Sequence, residues 1–118
     1  MKTLLRITLV GMALVLFSEM AFAVKVRGIK SCGDWVQDRE SEKGGEVLMV
    51  RGDQNWLVGF LSGLAVGTGN EVWGKQGLNP LEENEFVWLW MDNYCRANPQ
   101  KRIDDGAEAL YHEQIKRK

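Results

Sequence analysis

Residues Asn79–Pro99 read NPLEENEFVWLWMDNYCRANP. Asn79 can accept hydrogen bonds from the free amides that open a helix. Pro80 brings the fixed φ that suits the first helical position, and Glu82 falls in the first turn, where the helix dipole favours an acid. Phe86, Val87, Leu89, Trp90, Met91 and Tyr94 carry the pattern to about Arg96. Asn98-Pro99 stops it, because proline cannot continue the helical ladder and disfavours helical backbone in the residue before it. This long, well-started helix predicts an all-α domain.

A last helix follows, with Ile103, Ala107, Leu110 and Tyr111 on one face and Lys116, Arg117 and Lys118 at its negative end. Upstream, Trp56, Leu57, Phe60, Leu61, Leu64 and Ala65 recur at helical spacing. Asp53 is placed to cap that helix, and Gly67-Thr68-Gly69-Asn70 to end it. Glu71 to Leu78 contains Gly74 and Gly77 and reads as a loop that packs Trp73. Ser31 caps a short helix with Asp34 at its third position and Trp35 and Val36 facing inward. Arg39 to Gly45 reads as a charged loop. Glu46 to Val50 fits either a strand or a helix start. The expectation is a small bundle of three to four helices.

The chain opens differently. Lys2 and Arg6 precede an apolar run from Ile7 to Phe17, which closes on Ala21-Phe22-Ala23. That is the layout of a cleaved signal peptide over residues 1–23. Eleven apolar residues are too few for a stable membrane anchor, and no Cys follows them to take a lipid. Residues 24–118 then form one helical domain, beginning with an extended arm from Val24 to Lys30. Without the leader's two basic and one acidic side chains, 95 residues remain, with 13 Lys+Arg against 15 Asp+Glu. That size leaves no room for a two-part cofactor domain. The slightly acidic balance argues against a nucleic-acid partner, and no later apolar run is long enough to span a membrane.

Cys32 and Cys95 both lie in the mature part. In an oxidising compartment they read as one disulfide, closing a loop of about 64 residues and contributing about 4 kcal/mol by loop entropy. A reactive or metal-binding thiol pair is the alternative. It is disfavoured because there is no CxxC and the single His112 is remote in sequence.

Gly59, Gly63 and Gly67 recur every fourth residue. Each interior glycine costs a helix about 1 kcal/mol relative to alanine, so an offsetting role is expected. Close helix packing is the favoured one, and a groove floor for a partner the alternative. Five tryptophans in so short a chain are many. Trp88 and Trp90, two apart on one helix, point in different directions. Trp73 with Asn70, Glu71 and Lys75 of its loop, together with Trp88, are the candidate partner contacts. Glu83 and Asp104 would be the acids of a small cell-wall hydrolase, with the tryptophans as sugar platforms. First-turn acids are, however, already explained by the helix dipole. No phosphate loop, metal-spaced cluster or catalytic triad is present in the sequence, so no catalytic residue, metal or cofactor is assigned.

Two families resemble this chain. Gly59-Phe60-Leu61-Ser62-Gly63 resembles the Gly-aromatic-aliphatic-x-Gly helix of the Rap/Tai-type immunity proteins of type VI secretion. Tyr94-Cys95-Arg96-Ala97-Asn98-Pro99 and the helix through Ala107 and Leu110 are similar to their later part. The likeness covers about Asp53 to Ile115. It implies a small, often homodimeric, periplasmic helical protein that binds and blocks a peptidoglycan-amidase toxin without catalysis. Those proteins usually carry more cysteines, one of them in the glycine helix, where Trp56 and Leu57 stand here. A weaker likeness is to the HdeA acid chaperones, which are small, periplasmic and helical with one disulfide, and which open at low pH to bind unfolded clients.

Overall fold

A computed structural model describes residues 30–117 together with Val26. The proposed leader and most of the arm from Val24 to Lys30 lie outside the described residues. Four helices follow in order: α1 (Cys32–Lys43), α2 (Leu48–Thr68), α3 (Pro80–Ala97) and α4 (Ile103–Lys116). The fold is all-α, as the sequence predicts. No described helix is long and apolar enough to cross a membrane.

The two strongest caps form as their residue types dictate. The Asn79 side chain accepts from the amides of Leu81 and Glu82, while Glu82 reaches back to the amide of Asn79. Ser31 and Asp34 make the same reciprocal box at the head of α1. Gly69 ends α2 with φ of 68°, a left-handed turn that favours glycine.

α1 packs chiefly on α3, and α2 on α4. Their shared core holds Trp35, Leu57, Leu61, Val87, Met91, Ile103, Ala107 and Leu110, all buried. Cys32 and Cys95, both fully enclosed, form the disulfide that ties the head of α1 to the last turn of α3. Beside it the Cys32 amide donates to the Lys101 carbonyl at 2.9 Å. The Ile103 amide donates to the Lys30 carbonyl at 3.2 Å, joining Ser31 to Arg102 as a short antiparallel bridge.

Three local expectations are corrected. The Arg39–Gly45 loop is mostly helix, since α1 runs to Lys43 and turns only at Gly44. Arg39 is held there by Asp92 of α3, with Nη2 to Oδ2 at 2.9 Å, and Asp92 also accepts from the Trp35 indole at 2.8 Å. The Glu46–Val50 run proves to be a helix start, with α2 beginning at Leu48. Asp53 is therefore not a cap. It lies inside α2, buried, with Lys30 at 3.0 Å.

The glycine stripe is the third. Gly59, Gly63 and Gly67 are exposed, and a Cβ at any of them would meet nothing within 4 Å. Among the described residues these glycines pack against no neighbour. The glycine that does permit close approach is Gly106 of α4, where a Cβ would lie 2.7 Å from the Met91 sulfur and 2.8 Å from the Tyr94 ring.

Candidate functional site

The outward face of α2 is unusual in what it lacks. No charged residue occurs from Asn55 to Asn70. Leu48, Gly52, Asn55, Gly59, Ser62 and Val66 succeed one another at alternating steps of four and three, which places them along one side of a helix. Leu48 is 82% and Val66 85% exposed at the two ends of that side. Between them stand only Gly52, Asn55, Gly59 and Ser62, so this side offers small, uncharged residues along its length.

At its C-terminal end this face runs into an open hollow of about 420 Å³. Ser62, Ala65, Val66, Gly69, Asn70, Glu71 and Trp73 line it. The loop that forms its rim is tethered at several points. Thr68 donates to the Leu64 carbonyl at 2.7 Å, which leaves the Tyr111 hydroxyl to donate to Thr68, also at 2.7 Å. The same hydroxyl accepts from the Asn70 amide at 3.0 Å. Glu71 folds back on its own backbone, its carboxylate taking the amides of Val72 and Trp73 at 2.9 and 2.8 Å. Val72 plugs into the core, and Gly74 donates to the Glu83 carboxylate. Trp73 is thereby fixed half-buried at the edge of the hollow. A rigid aromatic rim around an apolar depression loses little side-chain freedom when a partner docks.

Of the contacts expected from sequence, the structure brings Asn70, Glu71 and Trp73 together in one wall. Lys75 is exposed but does not line the hollow, nor does Trp88, whose enclosed indole nitrogen has no partner among the described residues. Ser62, Ala65, Val66 and Gly69 complete the hollow and are not among the contacts expected from sequence. Ala65 and Val66 follow Ser62 by one turn of α2, so the helical repeat is the sequence signal that groups them. The remaining tryptophans serve packing. Trp56 stacks on Phe60 at 5.0 Å between centroids. Trp90 stacks on Tyr94 and donates to Glu113 at 3.0 Å.

The acids considered for hydrolysis have structural tasks. Glu83 holds the Gly74 amide, and Asp104 accepts from Arg102 at 3.1 Å. His112 is exposed, edge-on to Tyr111. Among the described residues no group of His, Cys, Asp and Glu is placed to hold a metal ion. Among the described residues Asp53 is the one carboxyl pushed strongly up, to about 6. Burial is the main cause and neighbouring Asp38 adds to it, against the Lys30 ammonium. It lies within α2 and not in the hollow. Comparison of the chain with protein-family models, with curated proteins and with solved structures returns no match.

Proposed function

We propose that this chain is an exported protein that binds another protein without catalysing a reaction. Its contact surface is the uncharged face of α2 and the hollow at Trp73, and in the periplasm it acts as an immunity-type inhibitor of a peptidoglycan-amidase toxin. The single observation that carries this reading is the continuity of that surface, from Leu48 through the exposed glycines to Val66 and the Trp73 rim. The glycines cost α2 helical stability and admit no neighbour of their own chain among the described residues, which fits a surface kept smooth for a partner's approach. Export is supported by the leader-like residues 1–23 and by the disulfide, which belongs in an oxidising compartment. The amidase target rests on the family likeness alone.

Co-expression with the peptidoglycan amidases encoded in the same genome, followed by size-exclusion chromatography, tests the proposal. The wild type is expected to co-elute with one amidase and inhibit it. Val66→Lys should lose the complex while keeping its thermal midpoint, because Val66 is 85% exposed. A complex that survives both Val66→Lys and Trp73→Ala would place the contact elsewhere. Absence of a complex with every amidase would count against an immunity role.

The chaperone alternative needs the fold to loosen in acid. Asp53 works the other way, since protonating a buried carboxyl whose folded-state pKa is raised tightens the fold.

A further inference from the structure

The hollow at the end of α2 offers a ligand hydrogen-bond acceptors, negative charge and one aromatic ring. Glu71 is the only charged residue in its wall. Both backbone bonds of that carboxylate, from the Val72 and Trp73 amides, fall on Oε1, so Oε2 takes neither. Asn70 is oriented by the relay beneath it. Because Thr68 donates to Leu64 and Tyr111 donates to Thr68, the Tyr111 hydroxyl can only accept from Asn70. That fixes Nδ2 at the tyrosine and leaves Oδ1 as the acceptor. Ala65 and Val66 belong to the last turn of α2, where a helix presents carbonyls that its own ladder does not use and where its dipole is negative. No basic residue stands in that turn. Trp73, its backbone held by Glu71, adds an indole whose ring quadrupole attracts a cation. At about 420 Å³ the open hollow has room for a whole side chain.

We propose that the hollow is the receptor for an arginine side chain of the protein partner. This rests on the protein-binding reading above and names the chemistry of the partner's contact. The guanidinium lies against the Trp73 indole, and its N–H groups reach Glu71 Oε2, Asn70 Oδ1 and the carbonyls that end α2. A planar cation with five donors suits an aromatic ring beside several acceptors, whereas a lysine ammonium is a point charge that does not stack. A carboxylate would meet the Glu71 charge and the negative end of the helix, and a neutral side chain would gain from neither. The uncharged run from Asn55 to Asn70 brings no basic side chain of α2 to compete for Glu71. Charge thus gives specificity at one end of an otherwise uncharged face.

Nα-acetyl-arginine N-methylamide is the probe, because its only charge is the guanidinium. The citrulline analogue, of nearly the same shape and uncharged, is the control. In ¹⁵N–¹H spectra of the disulfide-bonded protein the arginine probe is expected to shift the Trp73 indole resonance saturably, and citrulline to bind about tenfold more weakly. Glu71→Gln keeps an oxygen for the Val72 and Trp73 amides and should weaken the probe by up to about fivefold. Val66 lines the hollow and is 85% exposed, so its charge variants leave the fold intact. Val66→Lys should weaken the probe and Val66→Glu tighten it, and this pair decides even if Glu71→Gln disturbs the loop. An equal response to citrulline, or the same affinity in both Val66 variants, overturns the proposal. Free L-arginine binding more tightly than the blocked probe makes a free amino acid the ligand and overturns the partner side chain. An amidase complex undiminished in Glu71→Gln, beside no saturable response to the probe, removes the arginine receptor and leaves the protein-binding reading standing. A probe response with no protein complex removes the protein as the source.

Discussion

Gly106 and Gly59 are chemically identical residues in helix interiors, yet the structure assigns them opposite responses to the same change. At Gly106 a methyl would press on Met91 and Tyr94 at under 3 Å. Met91 is fully buried and has little room to yield. Overpacking costs about 1–3 kcal/mol, and alanine's helix preference returns about 1 of it. Gly106→Ala should therefore lower stability, by up to about 2 kcal/mol, in urea melts. At Gly59 and Gly63 nothing stands within 4 Å, so alanine there should raise stability by about 0.5–1 kcal/mol each. If Gly59→Ala were as destabilising as Gly106→Ala, α2 would have a neighbour on its outer face. Asp53 gives a residue-scale prediction of pH dependence. Its carboxyl is pushed up from the ordinary 3.8 to about 6, chiefly by burial, with Lys30 opposing and Asp38 reinforcing. The folded chain then holds this proton more tightly than the unfolded chain, so this group's contribution grows as pH falls through about 6 and is lost as pH rises through it. The thermal midpoint should rise on acidification from neutral through that window. Asp53→Asn, which mimics the protonated form, should raise the neutral midpoint and flatten the slope. An unchanged slope in the variant would assign the titration to another group.

At the scale of elements, legibility in the sequence followed the range of the interactions. α3 and α4 could be read closely because their signals are local: Asn79, Pro80 and Glu82 at one start, and the Ile103–Tyr111 face of the other. α2 could be placed but not bounded. It starts at Leu48, after Val47, which offers no side-chain cap, while Asp53, a good cap by type, is committed to Lys30, 23 positions away. α1 extends beyond what its local sequence predicts for the same reason, since Arg39 stays helical through Asp92, 53 positions on. The hollow divides likewise. Its loop residues were visible as a Gly-bounded segment with one Trp, but its α2 wall depended on which side of a helix the fold leaves open. The local cap makes a direct test. Asn79→Ala removes the acceptor for the Leu81 and Glu82 amides and should cost about 1 kcal/mol in chemical denaturation, as caps of this type do. Because the loop before Asn79 carries Trp73, the same variant should also broaden the Trp73 indole resonance if the α3 head positions the hollow's rim.

For the whole molecule, the disulfide and the α1–α3 polar network act on different states of the chain. The bond from Cys32 to Cys95 spans 63 positions, so its main effect is to restrict the unfolded ensemble, by about 4 kcal/mol in the loop-entropy view. That is a large part of the 5–15 kcal/mol typical of a domain's stability. The Trp35–Asp92–Arg39 network, in contrast, acts in the folded state, where removing one member strands the others. Denaturant slopes separate the two. In a Cys32→Ala/Cys95→Ala chain the unfolded state is no longer looped and exposes more surface, so the urea midpoint should fall while the slope m rises. In Asp92→Asn the midpoint should fall at constant m, since the unfolded chain is unaltered. The paired cysteines are fully enclosed, so a thiol reductant added to the native protein should act no faster than the fold opens, and its rate should follow the unfolding rate as urea is raised. Reduction that is rapid and independent of urea would mean that the seam between α1 and α3 opens locally, and the Ser31–Arg102 bridge beside the bond would then be where the opening starts.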